Sequence, residues 1–345
     1  MSVASLLAPR ALLRLPADHP PVLLVVIDTE EEFEWGAGFF REKTSVRAMR
    51  GIPRLQAIFD EFGIRPVYVV DYPIATQREG FEALRAYQQE GRAVIGSHLH
   101  PWVNPPFEEE PTPRNSYPGN LPPDLLERKL RVLTDAITES FGQRPDIYKA
   151  GRYGLGPGTE EVLARLRYSY DLSVCPRVDL RPDDGGPDFL DFAPEPYRFG
   201  PEGRMLEIPL TAAFVGPLAR WGSAIGRAAQ QPWGRALSLP ALLAGSGALR
   251  RIRLSPEGVS PEDHRKVTRA LLSRGVRIVT FSFHSPSATP GYTPYVADAA
   301  ALDRFLDCCR SYFAWFLGEL GGVSLTPGEI RTRLEGAAGV ESSRV

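Results

Sequence analysis

The run Val22-Leu-Leu-Val-Val-Ile27, followed at once by Asp28-Thr-Glu-Glu-Glu32, sets the fold class of this chain. Six consecutive apolar and largely β-branched residues after a proline pair are typical of a strand that is buried on both faces in a parallel sheet. An acid directly after such a run is costly to bury unless it has a purpose. We therefore predict that Asp28 lies at the end of a buried strand and has a functional role.

The flanking sequence alternates between amphipathic helices and short apolar strands. Beyond the first strand, we predict helices at 49–64, 79–90, 122–141, 158–167, 261–273 and 296–318. We predict further strands at 66–70, 93–96, 146–149 and 277–283. This order of elements favours parallel strands with covering helices, and therefore an α/β fold.

The composition excludes two broad classes of function. The 40 Lys and Arg residues nearly balance the 42 Asp and Glu residues, which gives a formal net charge of -2. No global basic field therefore exists to bind nucleic acid or an anionic membrane. In addition, no stretch of the sequence approaches the roughly 18 uninterrupted apolar residues of a membrane-spanning helix.

The cysteines and the N-terminal residues indicate the compartment. Cys175, Cys308 and Cys309 cannot build a disulfide framework, which favours a reducing environment. Arg10 and Arg14 interrupt the apolar clusters at the start of the chain, so the continuous apolar core of a signal peptide is missing. We expect a cytoplasmic protein without a transmembrane segment, and the sequence carries no indication of its oligomeric state.

The chain divides into one domain with two extensions. We predict an N-terminal extension at 1–20, a single domain at 21–332 and a flexible, polar C-terminal tail at 333–345. Within the domain, residues 176–250 are rich in Pro, Gly and Arg without a clean period, so we interpret them as an irregular insertion. The arginine-rich part at 217–253 fits either a partner surface or a lid over a substrate.

Reactive side chains collect where the predicted strands end. Parallel α/β folds build their sites at the carboxyl ends of strands, because these ends meet at one edge of the sheet. Four such ends carry reactive residues, in the segments 28–35, 97–102 and 150–154 and at His284. Three of the five histidines lie at these ends, which indicates a functional site at this edge.

The spacing of two of these groups suits a metal ion. Asp28 and Glu30 are two residues apart, so their side chains leave an extended strand on the same face. His98 and His100 have the same relation, and two such imidazoles can converge on one tetrahedral ion. A carboxylate from the first strand would complete a site of two histidines and one acid. The fourth position would then be left for water.

Four motifs together resemble a known family. In chain order they are IDTEE at 27–31, GSHLHPW at 96–102, AGRYG at 150–154 and FSFHSP at 281–286. This set is similar to the polysaccharide deacetylases of the nodulation-deacetylase homology domain, carbohydrate esterase family four. The text HLHPWVNPP followed by YPGNLP most resembles the branch associated with lipopolysaccharide biosynthesis. The resemblance runs from about residue 21 to 332, nearly the whole chain.

The resemblance implies a fold, a reaction and a set of roles. The fold would be a distorted (β/α) barrel of about seven parallel strands, and the reaction would be hydrolysis of acetyl groups on sugars with one divalent metal ion. By matching motifs, Asp28 would be the catalytic base, His284 the general acid and Arg152 the residue that orients Asp28. Glu30 and His98 would bind the metal.

The sequence departs from the family pattern at three points, one of which is Tyr153-Gly154, where the family's third motif usually has proline and an aromatic after its arginine. The family has two adjacent aspartates, whereas here the acids are two residues apart and the second is Glu30. The family's second histidine follows the first by four residues, a position that Trp102 occupies here. His100 would therefore take its place as a metal ligand. Zn²⁺ suits this donor set best, and other first-row divalent ions can replace it.

We therefore expect a metal-dependent hydrolase acting on an acetylated saccharide. It would remove an acetyl group, most simply an N-acetyl group, from a sugar made in surface-glycan or lipopolysaccharide biosynthesis. Trp35, Trp102 and Tyr153 would provide apolar walls for this substrate. Glu31 and Glu32, in contrast, are expected to be solvated loop residues.

Two alternatives stay open on the sequence alone. One is a metal-free glycoside hydrolase on a similar barrel, which would use Asp28 and a second acid such as Glu30 or Glu207. The other is a non-catalytic saccharide-binding scaffold that kept the fold and lost the ion. Bound metal in the purified protein would distinguish a deacetylase from the metal-free glycoside hydrolase. Turnover of an acetylated sugar would distinguish it from the non-catalytic scaffold.

Overall fold

The strand β1 (Val22–Thr29) lies inside the main sheet and is buried on both faces. The computed structural model describes residues 12–342 except 34, 35, 37, 232, 233, 235 and 236. β1 pairs in parallel with β10 (Ile278–His284) along its length and with β2 (Val67–Val70) near its C-terminal end. The continuous apolar run thus forms the doubly buried strand that it predicts.

The other strands extend this sheet away from β1. They are β3 (Val94–Leu99), β4 (Ile147–Ala150), β5 (Tyr170–Asp171), β6 (Tyr197–Phe199), β7 (Met205–Glu207), β8 (Ala212–Val215), β9 (Arg250–Arg253) and β11 (Val323–Ser324). The main row has the order β10-β1-β2-β3-β4-β5-β7-β6, and within the described residues its pairs are parallel except β6 with β7. β11 pairs with the start of β1, and β8 and β9 form a separate antiparallel pair.

The main sheet curls until its two ends approach each other. The chain just after β7 reaches β10, where the hydroxyl of Thr211 accepts a hydrogen bond from the backbone N–H of Thr280 (2.8 Å). The carbonyl of Leu254, just after β9, accepts a hydrogen bond from the N–H of Ser282 (3.2 Å). The predicted α/β class with a curled parallel sheet is therefore confirmed. The row contains eight strands, where the resemblance implies about seven.

Helices cover the sheet, most of them on its outer face. They are α1 (Ile52–Glu61), α2 (Tyr72–Thr76), α3 (Arg78–Gln89), α4 (Pro123–Phe141), α5 (Thr159–Arg165), α6 (Gly222–Ala229), α7 (Leu239–Gly245), α8 (Pro261–Leu272), α9 (Ala299–Phe313) and α10 (Pro327–Ser342). The longest, α4, begins at a proline and ends at Gly142, whose φ of +72° suits the left-handed position that closes many helices. Helix, strand and helix thus alternate along most of the chain.

The two faces of the sheet pack into two separate cores. Alternate residues of β1 enter each one: Val25 packs in the larger core beneath the helices, and Val26 packs in a smaller core inside the curl. Ile330 and Leu334 of α10 belong to the inner core. They anchor α10, which continues through residues 333–342, where the sequence indicates a flexible tail.

The segment interpreted as an irregular insertion contains regular elements. Strands β6 to β8 and helices α6 and α7 lie within 176–250. A hairpin at 179–188 is closed by a bridge between Asp179 and Asp188. The N-terminal extension contacts this region, since the N–H of Leu13 donates to the carbonyl of Pro196 (2.7 Å). The insertion is therefore packed onto the domain.

The sequence gives two expectations about composition, one for disulfide bonds and one for membrane-spanning helices. Cys175, Cys308 and Cys309 are buried and form no disulfide bond. In the described part of the chain, none of the helices combines the length and the hydropathy that crossing a lipid bilayer requires.

Candidate active site

β1 delivers two acids to the same side of the sheet. Asp28 lies near the end of the strand and Glu30 follows it, and both line one cavity although little of either is exposed. Thr29, between them, points away and donates its hydroxyl to the carbonyl of Ile27 (3.0 Å). The alternation of a strand therefore brings both carboxylates to the carboxyl edge of the sheet.

Glu30, His98 and His100 form a compact cluster at this edge. His98 lies in β3 and His100 follows the strand directly. The Nε2 atoms of both rings lie 3.5 Å from Oε2 of Glu30, and one ligand atom from each residue lies within 4.8 Å of the other two. Two imidazole nitrogens and a carboxylate oxygen in this arrangement can hold one metal ion.

The other ring nitrogen of each histidine is held by the protein. Nδ1 of His98 lies 3.0 Å from the carbonyl oxygen of Lys149, and Nδ1 of His100 lies 2.8 Å from Oε2 of Glu31. Both partners accept hydrogen bonds, which leaves Nε2 of each ring unprotonated and directed at Glu30. Burial lowers the pKa of His98 well below its usual value and that of His100 to about 4. Both rings are therefore in the neutral form that binds metals.

The charge of this region suits a bound cation. Burial, followed by the nearby carboxyls of Glu31 and Asp28, raises the pKa of Glu30 well above its usual value. Asp71 is also buried, and its Oδ2 accepts a hydrogen bond from the backbone N–H of Glu31 (2.6 Å). Buried acids in such numbers are costly without compensating positive charge. The cluster therefore fits a divalent metal ion.

Glu31 is buried rather than solvated, which corrects the expectation from the sequence. It is 1% exposed. Its Oε1 accepts a hydrogen bond from Nε1 of Trp102 (2.8 Å), and its Oε2 faces Nδ1 of His100. The indole of Trp102 also stacks on the imidazole of His100, with the ring centroids 4.3 Å apart. The position of a glutamate within a run of acids does not show whether its carboxylate is solvated or buried against a histidine.

Asp28 pairs with Lys149 and not with Arg152, the partner implied by the family resemblance. Nζ of the fully buried Lys149 donates to Oδ2 of Asp28. Burial by itself would raise the pKa of Asp28, but the positive charge of Lys149 outweighs it and holds the pKa at about 2. Arg152 pairs with Asp183 instead (2.7 Å). The difference arises because Lys149 is part of β4, whereas Arg152 lies beyond the end of that strand.

His284, at the end of β10, faces Asp28 and is oriented by Glu257. Its Nδ1 lies 2.8 Å from Oε2 of Glu257, and its Nε2 lies 3.9 Å from Oδ2 of Asp28. Burial by itself would raise the pKa of Glu257, but His284 and then Arg253 lower it, so this acid is ionised. Sequence analysis missed Glu257, which follows β9 in a segment without helix or strand periodicity.

The residues expected to act together line one cavity of about 530 Å³. Its polar groups include Asp28, Glu30, His98, His100, Arg152 and His284. Aromatic side chains form much of the remaining wall, namely Phe33, Phe39, Trp102, Tyr117, Tyr153 and Tyr295. Trp102 and Tyr153 thus lie in the cavity wall, and Trp35 lies outside the described residues.

Glu207 lies outside the cavity, so it does not support the version of the glycoside hydrolase alternative that pairs it with Asp28. It is buried in β7, where its Oε1 accepts a hydrogen bond from the backbone N–H of Val174 (3.1 Å). Its cross-strand neighbour is Asp171. Among the described residues, it is not one of those that line the cavity. Glu207 therefore does not form a catalytic pair with Asp28.

The curled α/β sheet with its site at the strand ends is an architecture found in solved structures. One is a Mycobacterium smegmatis protein assigned as a polysaccharide deacetylase, 19% identical, with 98% of this chain and 96% of that chain covered and a TM-score of 0.53. Another is the allantoinase Puue, 18% identical, with 94% and 96% covered and a TM-score of 0.50. At these identities the similarity concerns the fold. No family model and no curated protein matches the sequence.

Proposed function

We propose that this protein is a metal-dependent hydrolase that removes an acetyl group, most simply an N-acetyl group, from a saccharide. The observation that carries the proposal is the cluster of Glu30, His98 and His100 in one cavity with Asp28 and His284. Similarity of the fold to that of an assigned polysaccharide deacetylase supports it.

The acidic side of the site suits activation of water. A divalent ion bound by Glu30, His98 and His100 would lower the pKa of a water molecule to about 7 and polarise the acetyl carbonyl. Asp28 lies beside this cluster and is kept ionised by Lys149. An ionised carboxylate in this place can accept the proton of the water as it attacks the carbonyl carbon. Asp28 is therefore the base that we propose.

His284 suits the release of the amine. Its Nδ1 is engaged by Glu257, so its Nε2 is the nitrogen that faces Asp28 and the cavity. The nitrogen of an N-acetyl group leaves poorly unless it is protonated as the carbon–nitrogen bond breaks. We propose that His284 donates this proton, and that Glu257 stabilises the charged ring before the transfer.

The finer features of this function rest on the donor set and on the sequence motifs. Neutral imidazoles and a carboxylate suit Zn²⁺, and other first-row divalent ions share this preference. The motif resemblance supports a substrate of surface-glycan or lipopolysaccharide assembly, and the cysteine content favours a cytoplasmic site of action. Tyr153, in the cavity wall, would contact the apolar face of the sugar, whereas Trp102 is 3% exposed and stacks on His100.

Acetate release that depends on metal tests the proposal. Protein stripped by a chelator is compared with protein reloaded with Zn²⁺, Co²⁺ or Mn²⁺, on N-acetylchitooligosaccharides and on 4-nitrophenyl acetate. We expect activity in reloaded protein only, with one metal ion per chain. The matched variant Asp28→Asn should retain the metal and lose turnover by about 10²- to 10⁴-fold, as expected for loss of a general base.

Three results would point to a different function. Full acetate release by stripped protein would contradict the role of the metal. Saccharide binding by reloaded protein without any turnover would favour the non-catalytic scaffold. Turnover of allantoin without acetate release from any saccharide would replace the proposed reaction with the one named for a protein of the same fold.

A further inference from the structure

The backbone at Arg152 and Tyr153 directs both side chains into the cavity at an energetic cost. Their φ angles are +51° and +60°, in the left-handed region that residues other than glycine rarely adopt. Each such residue costs on the order of 1 kcal/mol or more, and such positions persist where the surroundings enforce them. Both side chains line the cavity. Tyr153 accepts a hydrogen bond on its hydroxyl from Arg253 (2.8 Å), whereas Arg152 has other partners.

The guanidinium of Arg152 is held in one orientation. Its Nη1 donates to the hydroxyl of Ser116 (2.6 Å) and to the carbonyl of Pro113 (3.3 Å), and its Nη2 donates to Oδ2 of Asp183 (2.7 Å). It also lies over the ring of Tyr117, with 4.2 Å between the guanidinium carbon and the ring centroid. A planar group fixed by hydrogen bonds and by an aromatic face has little rotational freedom left to lose on binding.

Asp183 reaches Arg152 from the hairpin at 179–188. Its Oδ2 also accepts a hydrogen bond from the hydroxyl of Tyr117 (2.7 Å). The hairpin packs closely on the same tyrosine, since a Cβ added at Gly186 would lie 2.8 Å from its ring. Asp183 and Asp184 of this hairpin line the cavity. A segment interpreted from the sequence as irregular therefore supplies one wall of the site.

The pair of Arg152 and Asp183 is partly open to the cavity. The side chains are 25% and 55% exposed, in contrast to the buried pair of Lys149 and Asp28. Three hydrogen bonds to described residues use three of the five N–H donors of the guanidinium. The carboxylate has acceptor positions beyond the two bonds at Oδ2. Donors and acceptors are thus both available at one place in the wall.

This combination matches sugar hydroxyl groups. A hydroxyl both donates and accepts, so two neighbouring hydroxyls can bond to a guanidinium and to a carboxylate together. The ring of Phe39, which lies against Arg152 and is partly exposed, offers surface for the apolar face of a sugar. Because the ion pair neutralises its own charges, the wall has no surplus positive charge for a phosphate or a uronic acid.

We propose that Arg152 and Asp183 form a binding subsite for a neutral sugar residue that adjoins the acetylated one. This subsite rests on the proposed function, since it names the substrate as a neutral oligosaccharide rather than a monosaccharide. Arg152 is then a substrate-binding residue, whereas Lys149 holds the base. The hairpin at 179–188 sets the specificity of the cavity by supplying Asp183.

Binding to chelator-stripped protein tests the subsite without turnover and leaves the pair of Lys149 and Asp28 intact. Calorimetric titration compares N-acetylglucosamine with its neutral dimer and trimer. We expect the dimer and trimer to bind more tightly than the monosaccharide. Arg152→Gln and Asp183→Asn are each introduced into this protein. Each should lower the affinity for the longer sugars by about 10- to 100-fold, as expected for loss of hydrogen bonds to charged groups. The monosaccharide should be affected less.

Arg181→Gln is the matched control in the same hairpin. Arg181 pairs with Asp179 and Asp188 and is mostly exposed, and its replacement should leave the preference for longer sugars intact. An equal loss in this variant would contradict the subsite, because the affinity would then depend on the fold of the hairpin and not on Arg152 and Asp183. Retained affinity in both subsite variants would overturn the proposal, as would absence of saccharide binding by the parent protein. Neither result bears on metal-dependent hydrolysis of 4-nitrophenyl acetate, which tests the proposed function separately.

Discussion

Lys149, in β4, forms a buried ion pair with Asp28, in β1, although β2 and β3 lie between the two strands. The pair crosses the inside of the curl, and neither side chain is more than 5% exposed. Removal of one partner from such a pair leaves a buried charge without compensation, whereas removal of both does not. The pair therefore ties the proposed base, Asp28, to the stability of the fold.

Lys149→Met should lower the free energy of unfolding by about 3–5 kcal/mol, because Asp28 would stay buried without its cation. Asp28→Asn in the same chain should restore much of this loss, since no uncompensated charge would remain. Chemical denaturation of the two single variants and the double variant measures this coupling. Strictly additive effects would mean that the two side chains do not interact.

His98→Ala and His100→Ala should each abolish stoichiometric metal binding, because either change removes a nitrogen donor from the cluster. Glu31→Gln should weaken metal affinity by about 10- to 100-fold, since Glu31 accepts the hydrogen bond that orients His100. Competition with a chromogenic chelator measures both effects. His19→Ala is the control, because His19 lies outside the cavity, and its metal content should equal that of the unchanged protein.

Gly151→Ala should disturb the metal site without changing any ligand. A Cβ at this position would lie 2.5 Å from the carbonyl oxygen of Leu99 and 2.6 Å from Cδ2 of His100, so the imidazole must move. We expect a drop in metal affinity of at least about tenfold together with a lower Tm, as for overpacked positions. Gly336→Ala is the matched control, since no atom of the described residues lies within 4 Å of the added methyl group. Unaltered metal affinity in Gly151→Ala would show that His100 does not need its present position.

His284→Ala should reduce hydrolysis of an N-acetyl sugar far more than hydrolysis of 4-nitrophenyl acetate. An amine needs a proton to leave, whereas an activated phenol does not. Glu257→Gln should reproduce this selective loss in milder form, because Glu257 orients the ring and is not expected to exchange protons with substrate. Steady-state rates of both variants on both substrates measure these losses. Equal losses on the two substrates would exclude His284 as the general acid.

Glu207→Gln should stabilise the protein increasingly as pH rises. Burial raises the pKa of Asp171 to about 6, and burial followed by Asp171 raises that of Glu207 well above its usual value. The folded chain thus holds protons that the unfolded chain releases. The stability that this pair contributes is present at acid pH and is lost as pH rises through about 6. The glutamine can still donate a hydrogen bond to Asp171 but cannot ionise.

Melting curves from about pH 5 to pH 8, across the range in which the pair ionises, check this prediction. The Tm of Glu207→Gln should exceed that of the unchanged protein at the upper end and approach it at the lower end. Glu202→Gln is the control, because Glu202 is mostly exposed. A Tm difference that stays constant with pH would contradict the assignment.

The sequence predicts the acids and histidines of the cluster because strand geometry is local. An apolar run shows where a strand ends, and the period of two shows which following residues share a face. Asp28, Glu30, His98 and His100 could be grouped in this way. Lys149 could have been grouped likewise, since it ends an apolar strand just as Asp28 does.

The partners of these residues could not be predicted in the same way, because they depend on long-range geometry. Lys149 meets Asp28 only because the sheet curls, and no local pattern encodes that curl. Glu257 and Asp183 lie in segments without periodicity, where sequence spacing does not give direction. The orientation of Arg152 depends on its positive φ, a conformation that residue type alone would argue against.

During synthesis, β1 leaves the ribosome long before the strand that covers its edge. Val22 pairs with Ile278 and Asp28 with His284, roughly 250 residues later in the chain. Pairing over such a distance is slow to form, and an uncovered strand edge is prone to associate with other chains in the meantime. The base and the acid of the proposed reaction come together only when β10 docks. An incomplete chain therefore carries the water-activating half of the site without the half that would release a product.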